Sequence, residues 1–73
     1  MAILTNTDVA GRVRGIAAER RVSRSAMAQC IAVSEMSLSR RLNGKTPFSA
    51  EELIKLSQTL GCAVGEFFGE RAA

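Results

Sequence analysis

Three times in this 73-residue sequence, an apolar residue stands directly before a serine that can cap a helix. The pairs are Val22-Ser23, Val33-Ser34 and Phe48-Ser49, and an apolar residue follows each serine four positions later (Met27, Leu38 and Leu53). This arrangement is the hydrophobic staple around an N-cap, and Glu52 completes a capping box with the last serine. The pattern predicts helices at about 24–31, 35–43 and 50–60.

The spacing of apolar residues adds one helix before these three and one after them. Apolar side chains at helical intervals predict a first helix at about 7–20, capped by Asn6 or Thr7. A short fifth helix is predicted at about 64–68.

Glycines mark both the ends and the interior of these helices. Gly44 and Gly61 follow the predicted third and fourth helices, where glycine supplies a left-handed stop. Gly11 and Gly15 fall inside the first helix and weaken it by about 1 kcal/mol each relative to alanine. We expect them to let another helix approach closely.

The link between the second and third helices consists only of Ala32, Val33 and Ser34, which is too short for antiparallel packing. A tight turn between crossed helices is the helix-turn-helix geometry. The sequence therefore predicts an all-α fold, a compact five-helix bundle forming a single domain over residues 1–73, with a helix-turn-helix at about 24–43.

Basic residues are concentrated between residues 12 and 45, although the net charge of the chain is only +3. That stretch holds eight basic and two acidic residues, a balance of +6, whereas residues 46–73 have a balance of −2. Such asymmetry predicts a polyanionic partner and a defined docking face. The alternative is a solvated basic face that binds no partner.

The residue types argue against catalysis. The sequence contains no His, which removes His-assisted nucleophiles and the usual His metal ligands. The only Asp, Asp8, falls in the first turn of a helix, where it stabilises the helix dipole, and Glu52 serves the capping box. We therefore expect no enzyme, no metal, no cofactor and no small-molecule ligand.

The sequence also predicts a compartment. The start MAILTNTDVAGR lacks the pattern of a secretory signal, and no stretch approaches the roughly 18 apolar residues of a membrane span. Cys30 and Cys62 belong to no CxxC or Cys/His cluster and are interpreted as reduced, largely buried thiols. We expect a protein of the bacterial cytosol or nucleoid, encoded by a bacterium or a phage, with no membrane partner.

The segment SRSAMAQCIAVSEMSLSRRLNGKT, residues 23–46, resembles the helix-turn-helix of the lambda-repressor-like (Cro/cI-type, XRE-like) DNA-binding family. The resemblance rests on an ordered set of caps, apolar positions and a closing Asn-Gly-Lys, here Ser23, Ala28, Ile31, Ser34 and Asn43-Gly44-Lys45. It extends from about Val9 to the segment LSQTLGCAVGEFFGE and covers nearly the whole chain. It implies double-stranded DNA as the partner, with residues 35–42 in the major groove.

The resemblance implies that the N-terminal part of this recognition helix faces base edges. Helical geometry agrees, because Leu38 and Leu42 face inward and leave the other side of the helix for DNA. Arg40 is the leading base contact, since a guanidinium bonds guanine O6 and N7 together. The full set of expected base contacts is Arg40, Ser39, Met36, Glu35 and Arg24, where Met36 is alternatively a core residue and Arg24 alternatively a phosphate contact.

Phosphate contacts are implied by the resemblance at Ser23, Ser34, Ser37, Asn43 and Lys45. The serines that cap helices need no DNA to explain them. Arg41 stands where a large apolar residue is common in the family, so we expect it to turn outward to the phosphate backbone while Leu42 takes over the packing.

Two further departures from the family pattern concern the turn and the core. Ala32 stands where the turn usually opens with Gly, which costs about 1 kcal/mol if the left-handed conformation is kept. Ala17 and Leu42 stand where many members pair an Arg with a Glu, and we interpret this as an exchange of a buried ion pair for an apolar contact.

These features together predict a minimal phage Cro-type or immunity-repressor-like regulator, with no attached effector or oligomerisation domain. The loop GKTPF lacks extra basic residues, so we expect a homodimer on a two-part operator. The predicted dimer surface is Val64, Phe67 and Phe68. The alternatives are an antitoxin-like or accessory helix-turn-helix subunit, and a protein-interaction module whose basic face binds an acidic partner.

Overall fold

A computed structural model describes residues 5–69, which form α-helices and a short 3-10 helix, with no strand in this range. The elements are α1 (Asn6–Arg20), α2 (Arg24–Cys30), α3 (Glu35–Leu42), α4 (Ala50–Leu60) and the 3-10 helix Val64–Phe68. The all-α prediction is confirmed, but the bundle has four α-helices and not five. The last segment is only five residues long and closes through bonds to the third residue back, such as Gly69 N–H to the Glu66 carbonyl at 3.2 Å.

Some sequence features fall at the two ends of the chain. The beginning of the stretch interpreted as lacking a secretory signal, and the Glu70 and Arg71 counted in the charge balance, lie outside the described residues. Within residues 5–69, none of the helices has the length and apolar character needed to cross a membrane.

Hydrogen bonds from side chains cap the predicted helix starts. The hydroxyls of Ser23 and Ser34 each accept a bond at 3.1 Å from the backbone N–H three residues ahead. At α4, Ser49 Oγ accepts from the Glu52 N–H at 3.1 Å, and the Glu52 carboxylate accepts from the Ser49 N–H at 3.0 Å. The three serine caps and the capping box are confirmed.

Helix α1 has a different cap from the one expected. The prediction of Asn6 or Thr7 is wrong, because Thr5 Oγ1 accepts from the Asp8 N–H at 3.2 Å and the Asp8 carboxylate accepts from the Thr5 N–H at 3.0 Å. This second capping box satisfies two backbone donors where a single hydroxyl would satisfy one. The bond from the Thr5 backbone also lowers the pKa of the Asp8 carboxyl.

The core gathers apolar side chains from all five elements. Its buried members are Val13, Ala17, Met27, Ala28, Ile31, Leu38, Leu42, Leu53, Leu56, Leu60 and Phe67. Ala17 is 3% exposed and Leu42 1%, and both belong to one core cluster and line one hollow, in agreement with an apolar contact in place of an ion pair. The side of α3 that faces α1 is thus packed by apolar side chains.

The turn between α2 and α3 opens with a residue in the left-handed conformation that is not glycine. Ala32 has a φ of 57°, and its side chain is exposed. The condition attached to the cost at Ala32 is therefore met: the left-handed conformation is kept, at about 1 kcal/mol or more. Arg21, which ends α1, adopts the same conformation at a φ of 56°.

The two glycines inside α1 do not serve a close helix contact, so that expectation is wrong. A β-carbon built on Gly15 would meet nothing within 4 Å, and one on Gly11 would approach the Arg14 guanidinium at 3.6 Å. The close approach occurs at Gly44, where a β-carbon would lie 2.6 Å from Thr7 Oγ1. Helix α1 therefore packs its first turn onto the end of α3.

Candidate nucleic-acid interface

Helix α3 has one buried side and one exposed side. Leu38 and Leu42 are 0% and 1% exposed, whereas Met36 is 69% exposed on the opposite side. The alternative that Met36 is a core residue is thereby ruled out. Glu35 and Arg40 are also exposed. Glu35, Met36 and Arg40 together form the outward edge of α3, which carries acidic, apolar and basic side chains.

Side chains on this outward edge touch one another and the neighbouring helix. Arg40 Nη2 lies 3.9 Å from the sulfur of Met36, one turn earlier. Arg24, the first residue of α2, donates from Nη1 to the Ser39 hydroxyl at 3.4 Å. Arg24 is therefore held beside α3, and its remaining N–H groups stay available to a ligand.

Short polar and basic residues surround the ends of α2 and α3. Ser23, Ser34, Asn43 and Lys45 are all exposed. Each capping serine accepts a bond from the backbone and keeps its own hydroxyl proton free to donate. Asn43 ends α3, and Lys45 follows it directly after the left-handed Gly44. These residues place donors at the start of α2 and at both ends of α3.

Arg41 lies back on α4, so the expectation that it turns outward is wrong. Its Nε lies 3.1 Å from Glu52 Oε1, with the two side chains only 16% and 18% exposed. Its Nη1 donates to the carbonyl of Ser37 at 3.2 Å and also to the Ser37 hydroxyl. Because Arg41 is partly buried, an unpaired guanidinium there would lose hydration without compensation. The ion pair with Glu52 compensates for that loss.

The environment of the Glu52 carboxyl contains opposing effects. Burial raises its pKa, but the hydrogen bond from the Ser49 N–H and the guanidinium of Arg41 lower it more. The net result is a pKa below the ordinary value, which keeps the carboxylate charged and the ion pair intact.

Two arginines of α1 contact the backbone of residues near the end of the described chain. Arg20 Nη1 donates to the carbonyl of Gly61 at 3.4 Å, at the end of α4. The Arg12 guanidinium lies over Gly69, where a β-carbon would come within 3.1 Å of it. These contacts join residues far apart in the chain and leave no local pattern that sequence reasoning could find. The basic stretch is therefore partly structural.

The predicted dimer surface is only partly at the surface. Val64 and Phe68 are 38% and 44% exposed, but Phe67 is 0% exposed, so its assignment to that surface is wrong. Adjacent residues on a short helix point in different directions, and the core takes Phe67. Phe68 borders a groove of about 280 Å³ that Val9, Phe48 and Leu53 also line.

The two cysteines are half-buried thiols. Cys30 Sγ lies 3.0 Å from Thr59 Oγ1 and 3.4 Å from the carbonyl of Lys55. Burial, and then the charge of Glu66, raise the pKa of the Cys62 thiol. In the range 5–69 neither cysteine forms a disulfide, and no group of residues able to hold a metal ion is found.

The comparison with protein families agrees with this geometry. Residues 12–69 match the model of the Cro/C1-type HTH DNA-binding domain, whose members are typically not enzymes. The comparisons with curated proteins and with solved structures returned no significant match. The matched range contains α2, the turn, α3 and the whole outward edge. The chain belongs to the family of Cro/C1-type helix-turn-helix DNA-binding domains.

Proposed function

We propose that this protein binds a specific double-stranded DNA sequence through α3 in the major groove and represses transcription by occupying a promoter or operator. The observation that carries the proposal is the outward edge of α3, where a methionine is 69% exposed beside an exposed arginine. An exposed methionine offers adaptable apolar contact surface to a partner that lies along α3. Thymine methyl groups in the major groove are such a partner.

The exposed side chains differ in the bases that they suit. Arg40 suits guanine, because its guanidinium can bond O6 and N7 at once, and Met36 suits a thymine methyl. Glu35 can accept from cytosine N4. Arg24 and Ser39, which are bonded to each other, supply donors on one side of α3.

The donors at the start of α2 and at both ends of α3 suit the phosphate backbone. Ser23, Ser34, Asn43 and Lys45 supply hydroxyl, amide and ammonium donors, which fix a protein's orientation on the duplex without reading sequence. Ser37 and Arg41 suit this role poorly, because each is bonded to the other inside the protein. The backbone contacts are then few, and affinity for one copy is modest.

A homodimer on a two-part operator fits this modest affinity. Val64 and Phe68 supply exposed apolar surface away from α3, and Phe68 lines the groove that Phe48 also lines. Joining two copies there would make recognition bivalent. Such a regulator would act in the bacterial cytosol or nucleoid, where its operator lies.

The test is selection of bound duplexes from a random DNA pool. We expect one enriched motif, with two related half-sites if the dimer forms, and a solution mass that falls to one copy for Phe68→Ser. A reporter promoter that overlaps the motif should lose expression when the protein is supplied. If the pool yields no motif, sequence-specific binding is wrong, and a basic face for an acidic protein partner becomes the better hypothesis.

A further inference from the structure

The side chain of Arg41 joins two helices whose backbones lie apart. The backbone of α3 packs against α1 and α2, and within residues 5–69 no Cα atom of α3 lies within 8 Å of one in α4. Arg41 spans this gap with two parallel bonds to Glu52, Nε to Oε1 at 3.1 Å and Nη2 to Oε2 at 3.3 Å. A guanidinium and a carboxylate in this paired arrangement fix angle as well as distance.

Both ends of this ion pair are fixed within their own helices. The carboxylate of Glu52 also accepts from the Ser49 N–H at 3.0 Å, so it is part of the start of α4. The guanidinium also donates to the Ser37 carbonyl at 3.2 Å, one turn earlier in α3. All three guanidinium nitrogens therefore bond within the protein, and the pair behaves as a rigid strut between two helices.

A second polar contact holds the other flank of α3. At 100° per residue, Ser39 and Arg41 lie on opposite sides of the edge formed by Met36 and Arg40. Ser39 is bonded to Arg24 of α2, and Arg41 is bonded to α4. The core leucines prevent α3 from leaving the bundle, while the two flanking contacts oppose its rotation about its own axis.

We propose that Arg41 is a positioning residue for base reading: with Glu52 it sets the rotation of α3, and so the direction in which Met36 and Arg40 face the groove. This inference rests on the proposed function, in which α3 reads bases. It assigns specificity to a residue that touches no DNA. A rotation of the helix would misplace both side chains at once.

Glu52→Gln isolates the ion pair. Glutamine serves in a capping box as glutamate does, so the start of α4 is kept while the charge partner of Arg41 is lost. The matched control is Glu51→Gln, which removes the same charge from the neighbouring residue, in the exposed pair with Lys55. Arg41→Ala and its control Lys55→Ala form a second matched set, in which a cation is removed.

The quantity to measure is the ratio of affinities for the selected site and for a scrambled duplex. We expect this ratio to fall roughly tenfold in Glu52→Gln and Arg41→Ala, and to stay unchanged in both controls. If Arg41 instead contacted phosphate, Glu52→Gln would bind all duplexes more tightly and steepen the salt dependence by about one. That result overturns the proposal, as does a loss of stability in urea with an unchanged ratio.

A measurement without DNA separates failure of this inference from failure of the proposed function. Amide hydrogen exchange in residues 38–42 reports how firmly α3 is held. We expect faster exchange there in Glu52→Gln than in Glu51→Gln. If the random pool enriches no motif, the proposed function fails. Equal exchange in the two variants refutes the strut, whatever the pool yields.

Discussion

Gly44, in the turn after α3, lies directly against Thr7 in the first turn of α1. A β-carbon on Gly44 would come within 2.9 Å of the Thr7 Cα, a backbone atom that cannot move without moving α1. The φ of Gly44 is 78°, so glycine is favoured there by conformation as well as by space. The end of α3 is thus anchored to α1, a helix that lies outside the helix-turn-helix.

Substitutions of two glycines by alanine should therefore have opposite effects. Gly44→Ala should lower the free energy of unfolding by about 2–3 kcal/mol, through strain and the clash with Thr7. Gly15→Ala is the control, because it adds a β-carbon in open space on a helix, and it should raise stability by about 0.5–1 kcal/mol. Urea unfolding of both variants measures this, and a change of the same sign in both would contradict the packing at Thr7.

Arg40→Ala should weaken binding to the selected site by about 1–3 kcal/mol and relax the preference at one base pair. The reason is the exposed position of Arg40 beside Met36, with no bond to another helix among residues 5–69. Lys55→Ala removes the same charge from α4 and is the control. Competition titration against single-base variants of the site measures the base preference of both protein variants. Uniform weakening on every duplex by Arg40→Ala would show that it contacts phosphate instead.

Leu42→Glu should unfold the protein or cost about 3–5 kcal/mol, since Ala17 offers no cation to a buried carboxylate. A hollow of about 220 Å³ lined by Ala17 and Leu42 leaves room for a longer side chain. Ala17→Arg should therefore rescue Leu42→Glu by supplying the missing partner. Ala26→Arg, on an exposed alanine of α2 outside this hollow, should not rescue it. Thermal melts of the single and double variants test this, and equal rescue by both arginines would exclude a specific buried pair.

Ala32→Gly should stabilise the protein by about 0.5–1 kcal/mol, because relief of the left-handed strain exceeds the added chain entropy. Ala18→Gly, in the exposed last turn of α1, should instead cost up to about 1 kcal/mol. Both changes remove one methyl group from an exposed alanine, so only the backbone conformation differs. A lower urea midpoint for Ala32→Gly would argue against the φ of 57°.

The stability of the protein should fall in acid as the two capping-box carboxylates titrate. The folded pKa values of Asp8 and Glu52 both lie below their ordinary values. Their stabilisation is thus fully present above the unfolded pKa values, about 3.9 for Asp and 4.3 for Glu, and is lost as pH falls through the lower folded values. Glu52→Gln should flatten this acid dependence, and adding Asp8→Asn should flatten it further. Identical dependence in wild type and double variant would show that other groups cause it.

Local features of the fold were predictable from sequence because their physics is local. A capping serine and the residue it bonds are three positions apart, so Ser23, Ser34 and Ser49 could be assigned without a structure. Thr5 was missed because Asp8 was interpreted through the helix dipole alone, although the two residues have the same three-residue spacing. The left-handed conformation at Ala32 was suggested only by the resemblance to a family whose turn usually opens with glycine, because alanine by itself gives no signal for it.

The outward edge of α3 was also predictable, since Leu38 and Leu42 fix which side is buried. The fate of Arg41 was not, because its partner lies on another helix and the charge pattern of α3 alone cannot reveal Glu52. The same holds for Phe67 and Phe68, where periodicity on so short a segment cannot choose which ring enters the core. Long-range pairings decide these positions.

The exposure of Met36 has a consequence for engineering. Because Met36 and Arg40 contribute so little to the buried interior, both positions can be randomised together without remaking the bundle. The buried leucines, the Arg41–Glu52 ion pair and the Arg24–Ser39 hydrogen bond would hold each new pair of side chains at the same place. With α3 reading bases as proposed, a library of such variants would provide small domains that bind new DNA sequences.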